Sequence, residues 1–321
     1  MARTKAVLGA GARLSDFLSA SVLARVCPAT MIGEILDEHG CNSKRIRRLP
    51  AVPGAYFCMA LSLYPEAAYE HVFAVVTQGL SWMQGHDSAV TIAKSSISEM
   101  RSKMGYAPLQ SLVARACRPL ADAKHHPDAF YAGLRLVAID GSNLEVADEP
   151  DNVSAFGYPG SRTGHAGYPQ AQCAVLIECA SHAIIAANLG AYRDAEWTIC
   201  KPLLNRLMTT LLDEKMAPAL ELAALYHERW EVEAVFDELK VHLLQKRRVL
   251  RSKTADLVRQ EFYGWVLAHY AVRWLIHQAA AVHHVPDRSL SFTANVQLMR
   301  RAQPPSGTFS PSAATKTSAL V

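Results

Sequence analysis

The sequence has few features of a disulfide-bonded or metal-binding protein. Its seven cysteines include no C-x-x-C pair, and the closest two, Cys173 and Cys179, lie six positions apart. The thirteen histidines include the neighbours 125–126 and 283–284, but neither pair has a partner at the i,i+4 spacing of a helical zinc site. We therefore expect unbridged thiols in a reducing cytoplasm, and histidines that lie in loops or on the surface.

The sequence also lacks a long apolar run and a large charge excess. Its apolar stretches end well short of the roughly 20 residues that a transmembrane helix needs, so we expect no membrane partner and a cytoplasmic protein. Lysine and arginine number 33 against 29 acidic residues, which gives a net charge of +4 over 321 residues. A charge this small does not by itself indicate nucleic-acid binding, which depends on where the basic residues lie.

The basic residues are concentrated in two clusters. The first comprises Lys44, Arg45, Arg47 and Arg48, and the second, between Lys240 and Arg259, includes Lys246, Arg247 and Arg248. Each cluster is typical of a solvated helix edge or of a track of contacts to DNA phosphates, and the pattern leaves both open. A short helix over 95–103, which contains Arg101, likewise fits a helix-turn-helix or an ordinary surface helix.

Hydrophobic periodicity divides the chain into an all-helical part and a mixed part. Apolar residues at helical spacing predict a helical domain over residues 12–110. Strands and helices alternate over 128–300, where a mixed sheet is expected. Residues 301–321 are rich in proline, serine and threonine and predict a disordered tail. The fold class predicted is α/β, with the helical domain first.

Within the mixed part, individual segments carry clear predictions. The apolar run Leu134–Ile139 predicts a strand that ends in a turn at Asp140–Ser142, and Gln170–Glu178 predicts a second strand. Residues 152–169 hold four glycines and two prolines and predict a loop. A long helix is predicted over about 218–244, because apolar residues recur along it at helical intervals.

Four polar residues share one stripe of this long helix. Tyr226, Arg229, Glu233 and Lys240 are spaced by 3, 4 and 7 positions. At about 100° per residue they fall within a stripe roughly 60° wide, beside an apolar stripe. An ordinary amphipathic helix with an Arg229–Glu233 ion pair explains this spacing, and periodicity alone favours that interpretation.

The residues in and around this helix resemble DDE transposases of the insertion-sequence four type. The run YHERWEVE at Tyr226–Glu233, followed by Glu238-Leu239-Lys240, resembles the family's signature around its catalytic glutamate. The strand that ends at Asp140 resembles the site of the first catalytic aspartate. The segment 14–83 is similar to the family's N-terminal helical domain. The resemblance implies a DNA-binding helical domain and an RNase H-like catalytic domain.

The resemblance also implies roles for individual residues. Asp140 and Glu233 would be catalytic and would bind Mg²⁺ or Mn²⁺, hard ions that prefer carboxylate oxygens. A pair of such ions stabilises the attacking and leaving oxygens of in-line displacement at phosphorus. Tyr226, Arg229 and Lys240 would contact DNA phosphates near the site, and the two basic clusters would bind DNA. The expected partner is double-stranded DNA, both the terminal inverted repeats and the target, and the oligomeric state stays open.

The sequence departs from the family's pattern between these two acids. The family's second catalytic aspartate follows another strand in a motif resembling Asp-Arg-Gly-Phe, and this sequence contains no such motif. Asp140 and Glu233 are only 93 positions apart, so we infer an internal deletion near 205–208, with a compact family variant as the alternative. Asp194 and Asp213 are the conceivable replacements, although an exposed acid at an element boundary explains each of them better.

The missing aspartate limits the function that the sequence predicts. With one carboxylate fewer, one of the two ions should bind poorly, and cleavage and joining of DNA strands should be impaired. We therefore expect an insertion-sequence transposase of reduced activity. The alternative is a non-catalytic DNA-binding relic that occupies the terminal inverted repeats.

Overall fold

A computed structural model of the protein describes residues 19–43, 49–83, 92–161, 164–165, 167–204, 231–244 and 249–301. The first part is helical and comprises α1 (Ser19–Val26), α2 (Ala29–Glu38), α3 (Ala51–Ala60), α4 (Tyr69–Met83), α5 (Lys94–Met104) and α6 (Ala107–Ala116). The next elements are β1 (Phe130–Tyr131), β2 (Leu134–Arg135), β3 (Val137–Val146), α7 (Pro150–Phe156), β4 (Gly160–Ser161), β5 (Gly164–His165), β6 (Gln170–Glu178), β7 (Ile184–Ala191) and α8 (Glu196–Leu204). The last are α9 (Glu231–Asp237), which continues as a π-helix over Glu238–Leu243, then β8 (Val249–Leu250), α10 (Ala255–His283) and α11 (Phe292–Arg301). This order confirms the predicted α/β class.

The boundaries of the N-terminal helices follow from proline and glycine. Pro28 and Pro50 immediately precede α2 and α3. The backbone N–H at this position takes no part in the helical hydrogen bonds, so proline, which has no N–H, fits there without loss. Gly40 follows α2 with φ +66°, a left-handed conformation that favours glycine and ends the helix. None of the helices in the described residues is both long and apolar enough to cross a membrane.

The main sheet has four strands in the order β7-β6-β3-β8. β3 and β6 are antiparallel and pair from Val137 opposite Glu178 to Glu145 opposite Gln170. β8 is parallel to β3 and pairs with it only at Glu145 and Val146. In the part of the chain that the structure describes, no other strand pairs with this edge of β3. Asp140 therefore lies outside the short stretch of β3 that pairs with β8, and among the described residues its paired strand is β6.

Two sequence predictions in this region are wrong. The turn expected at Asp140–Ser142 is the middle of β3, because the strand continues in register with β6 to Glu145. The loop expected over 152–169 begins inside helix α7, which has Pro150 in its first turn and ends at Gly157 with φ +79°. Proline at the start and glycine at the end are ordinary helix boundaries. Arg301 also lies within α11, and the rest of the predicted tail falls outside the described residues.

Helix α10 connects the helical part to the sheet. It packs against α1, α3 and α6 on one side and against β7, α7 and α11 on the others. One continuous apolar core therefore contains side chains of the N-terminal helices, of α10 and of one face of the sheet. A smaller core lies between the other face of the sheet and α8. The apolar core is therefore continuous across the domain boundary predicted near residues 110–128.

Arg101 in α5 joins the two parts by polar contacts rather than facing solvent. Its side chain is 1% exposed. The guanidinium donates hydrogen bonds to Gln260 Oε1 at 2.8 Å, to the Tyr69 hydroxyl at 2.8 Å and to Ser252 Oγ at 3.0 Å. Arg101 therefore lies on the buried face of α5, and the prediction of a helix-turn-helix over 95–103 stays a prediction.

Candidate active site

Asp140 lies in the middle of β3 and is half-buried. Its Oδ1 accepts a hydrogen bond from the backbone N–H of Gly141 at 2.8 Å. Side chains alternate along a strand, so Asp140 and Ser142 project from the same face of the sheet. This is the face that meets α9 and α10, because Ala138 and Leu144 of the same face belong to the large core.

Lys240 reaches the same face from the π-helical segment. Its Nζ donates a hydrogen bond to Ser142 Oγ, two residues beyond Asp140. Burial lowers the pKa of the Lys240 ammonium, which is half-buried. The structure therefore places a cation close to the strand position of the candidate aspartate, in agreement with a site that binds phosphate.

Glu233 lies in the first turn of α9 and is exposed to solvent. The helix packs against β3, so Glu233 and Asp140 come from neighbouring elements. The single stripe predicted for Glu233 and Lys240 assumes a constant 100° per residue, and this assumption is wrong from Glu238 onwards, where i→i+5 bonding begins. Within the described ranges, the acids around β3 do not form a group of three with ligand atoms within 4.8 Å of one another.

Several predicted residues fall outside the described ranges. They are Tyr226, Arg229, Asp213, Lys44, Arg45, Arg47, Arg48, Lys246, Arg247 and Arg248. Their roles, like those of Asp140 and Glu233, stay predictions. The inferred deletion point near 205–208 also lies outside these ranges.

Asp194, one of the conceivable replacements for the missing aspartate, closes a turn. Its Oδ2 accepts a hydrogen bond from the backbone N–H of Ala191 at 2.7 Å. The same oxygen lies against Gly190, where an added Cβ would be only 2.7 Å away. Asp194 therefore stabilises the connection between β7 and α8, and its carboxylate is engaged locally.

Glu196 is a residue that the sequence reasoning missed. It lies in the first turn of α8, and a Cβ built on Gly141 would be 3.1 Å from its Oε1. Burial raises the pKa of the nearby Cys200 thiol, and the charges of Glu196 and Asp140 raise it further. The two carboxylates thus approach Gly141 from the two faces of the sheet. The glycine that directly follows Asp140 was the available sequence clue, because a larger residue would keep Glu196 away.

A buried charged network holds α9 against α10. Glu238, the first residue of the π-helix, is 7% exposed. Its carboxylate accepts hydrogen bonds from Arg273 Nε at 2.9 Å and from His269 Nε2 at 2.9 Å. Arg273 also donates to His182 Nδ1 at 2.8 Å, so His182 carries its proton on Nε2 and donates to Glu231 at 2.5 Å. The sequence resemblance included Glu238 without giving it this positioning role.

We expect His269 to make the protein less stable in mild acid. Its pKa is lowered to about 3, first by complete burial and then by the charge of His182. An unfolded histidine has a pKa of about 6.5, so below that pH the unfolded chain binds one more proton than the folded chain. Stability should therefore fall as the pH falls from 6.5 towards 3, by about 2 kcal/mol at pH 5 from this residue.

Urea unfolding of the protein and of His269→Gln, at pH 7.5 and at pH 5, measures this contribution. Glutamine keeps a donor for Glu238 but does not titrate, so the variant should lose about 2 kcal/mol less than the parent between the two pH values. His283→Gln, a change of an exposed histidine in the same helix, is the matched control and should behave like the parent. Equal pH dependence for His269→Gln and the parent would contradict a buried neutral imidazole.

Comparisons with known proteins bear on both parts of the chain. A family model described as Insertion element 4 transposase N-terminal matches residues 18–114, and a Transposase DDE domain model matches residues 166–271. The chain is 22% identical over 376 residues to the Escherichia coli K12 protein Transposase InsG for insertion sequence element IS4, over 85% of this chain and 83% of the relative. It is 24% identical over 187 residues to the Putative transposase InsZ of the same organism, over 58% of this chain and 60% of the relative. No solved structure matches the chain.

The alignment with the first of these relatives is longer than the chain itself. It runs over 376 positions, whereas 85% of 321 residues is about 273. About 100 aligned positions of the relative therefore have no counterpart here. This length difference is what the absence of one strand and a following insert would produce.

Proposed function

Since the chain belongs to the insertion-sequence four family of DDE transposases, we propose that it binds the terminal inverted repeats of an insertion element and cleaves DNA there with impaired, metal-dependent activity. The observation that carries this proposal is the arrangement around β3. Asp140 lies at its centre, the Glu196 carboxylate lies over the adjacent Gly141, and the Lys240 ammonium is bonded to Ser142.

The donor set around β3 suits a hard divalent cation. Asp140 and Glu233 supply carboxylate oxygens from a strand and from a helix that packs against it, and Mg²⁺ and Mn²⁺ prefer such oxygens. We propose that Asp140 and Glu233 hold one ion on the face of the sheet that meets α9. When bound, the ion would neutralise charge on a phosphoryl group and activate a water molecule as nucleophile. Glu196 approaches the strand from the opposite face of the sheet and is not one of these ligands.

The other residues of the site would orient DNA and keep the acids in place. Lys240 would present its ammonium to a phosphate oxygen beside Asp140, as a point charge in a half-buried position. The buried pairing of Glu238 with Arg273 would fix the start of the π-helix, and with it the positions of Glu233 and Lys240 on either side. These roles require no residue from the missing segment.

A second candidate function is DNA binding without cleavage. The observation that favours it is the absence of about 100 aligned positions, because this gap can remove both the second aspartate and part of the substrate contacts. In that case the basic clusters would still bind the element's ends, while the acids around β3 would be inactive.

One cleavage experiment separates the two functions. The full chain is incubated with labelled duplex from the DNA that flanks its coding region, with Mg²⁺ or Mn²⁺, and cleavage and binding are both measured. We expect slow cleavage that Asp140→Asn and Glu233→Gln abolish, with DNA binding retained, whereas Glu196→Gln, on the other face of the sheet, should cleave like the parent. Asp194→Asn, two residues from Glu196 and engaged in a turn, is the control and should cleave like the parent.

Each other outcome has a definite meaning. Tight binding without any cleavage by the parent supports the binding relic and rejects the enzyme. Cleavage by Asp140→Asn or Glu233→Gln at the rate of the parent removes that residue from the proposed ligand set. An affinity that barely changes with salt would reject both functions, because phosphate contacts release counterions and make DNA binding strongly salt-dependent.

A further inference from the structure

A second group of potential metal ligands lies at the C-terminal end of α10. It consists of His126, His277 and Asp287, which offer one ligand atom each, all within 4.8 Å of one another. It is the only such group of three found among the described residues. His126 belongs to the connection between α6 and β1, His277 to α10, and Asp287 to the short 3₁₀ turn after α10.

The three side chains are packed together rather than merely near one another. His277 Nδ1 and Asp287 Oδ2 are 2.8 Å apart, and the rings of His126 and His277 have centroids 4.9 Å apart. The side chains of His277 and Asp287 are only 9% and 4% exposed, whereas that of His126 is 21% exposed. The group is therefore closed on the protein side and open to solvent along His126, which would let an ion enter.

A separate observation points to a ligand at this group. Asp287 Oδ1 is buried, and no hydrogen-bond partner for it exists among the described residues. A buried carboxylate oxygen without a partner is rare in folded proteins and often marks a bound ion or water. The other oxygen of the same carboxylate, Oδ2, lies 2.8 Å from His277 Nδ1.

Asp122 holds His126 through its backbone. The Asp122 N–H donates a hydrogen bond to His126 Nδ1 at 3.3 Å, while the Asp122 carboxylate accepts hydrogen bonds from the backbone N–H groups of Lys124 at 3.0 Å and His125 at 3.1 Å. A neutral imidazole whose Nδ1 accepts has its lone pair on that nitrogen, so Nδ1 is the atom of His126 that would bind an ion in place of this hydrogen bond.

We propose that His126, His277 and Asp287 bind one Zn²⁺ ion, with water in the remaining position. Two imidazole nitrogens and one carboxylate oxygen suit Zn²⁺, whereas Mg²⁺ prefers oxygen ligands throughout. The ion would tie the connection between the helical part and the sheet to the end of α10, across 161 positions of sequence from His126 to Asp287. Its role would be structural, and it would be independent of the acids around β3. The prediction that residue 126 lies in a loop or on the surface is confirmed, and in that loop its ring packs on His277.

The test uses the full chain, freed of metal with a chelator and titrated with Zn²⁺ against a coloured competing chelator. We expect one tightly bound Zn²⁺ per chain, and an affinity at least about tenfold lower for His126→Ala. His125→Ala changes the neighbouring exposed histidine and should bind like the parent. Zinc in about 100-fold excess over Kd should also raise the Tm of the parent by about 5 °C, and the Tm of His126→Ala by less.

Either of two results overturns the proposal. One is a parent chain that binds no Zn²⁺ in competition with the chelator. The other is zinc binding that His126→Ala leaves unchanged, which would assign the ion to cysteines or to other histidines. Because His126 is partly exposed, its alanine variant should fold, and an unfolding curve in the absence of zinc verifies this. Asp287→Asn, which keeps the size of the side chain, is the second variant and should weaken zinc binding as well.

Discussion

Arg273→Met is expected to lower the free energy of unfolding by about 3–5 kcal/mol. Arg273 and Glu238 are both almost completely buried, and Arg273 contacts both oxygens of the Glu238 carboxylate. Methionine fills most of the volume but leaves this carboxylate in the core without a permanently charged neighbour among the described residues, with His269 at 2.9 Å and His182 at 3.7 Å. A buried charge that loses its counter-ion is among the most destabilising single changes. Urea unfolding at pH 7.5, followed by circular dichroism, measures the loss.

Two further variants make this prediction specific to the buried network. Arg288→Met removes a cation whose side chain is 45% exposed and which lies 3.3 Å from Glu231, and it should cost less than about 1 kcal/mol. The double variant Arg273→Met with Glu238→Leu should recover part of the loss, because no unpaired charge remains. A loss for Arg288→Met as large as that for Arg273→Met would contradict the importance of burial.

Gly264→Ala should destabilise the protein by about 2–3 kcal/mol despite the better helix propensity of alanine. Gly264 is a residue of α10 at its crossing with α3. A Cβ there would lie 2.5 Å from the carbonyl oxygen of Cys58 and 2.9 Å from its carbonyl carbon. Because these are backbone atoms of a packed helix, the contact can be relieved only if α3 and α10 move apart. Thermal and urea unfolding of the variant measure the effect.

Gly33→Ala is the matched control for this change. Gly33 also lies inside a helix, α2, but an added Cβ would meet no atom within 4 Å. Alanine there should raise the free energy of unfolding by about 0.5–1 kcal/mol, through helix propensity alone. If the two alanine variants shift the free energy of unfolding in the same direction, the close approach of α3 and α10 is not the reason that position 264 requires glycine.

The sequence predicted elements whose determinants are local. Strand β6 is apolar along most of Gln170–Glu178, and α2 ends at Glu38, two residues before Gly40, so the sequence predicts both within one or two residues. The continuation of β3 beyond Ser142 was missed because it depends on pairing with a strand some 30 positions later. The π-helix at Glu238 was missed because periodicity assumes a constant helical pitch.

The same distinction applies to the candidate site. Lys240 could be singled out because it belongs to a contiguous signature, and the structure does place it against β3. Glu196 could not, because its position over Gly141 results from the packing of α8 on the sheet. Nor could the proximity of His126 and His277, which are separated by 151 positions of sequence and brought together only by the fold.

The placement of α10 affects the order in which the protein can fold during synthesis. The helices α1 to α6 leave the ribosome first, but the apolar faces of α1, α3 and α6 are covered by a helix that ends at His283. These faces stay exposed until most of the chain has been made, at a rate of about 5–20 residues per second. Contacts of such long sequence separation slow folding and expose apolar surface to other chains. The nascent helical part therefore depends on chaperones or on rapid completion of the chain to avoid aggregation.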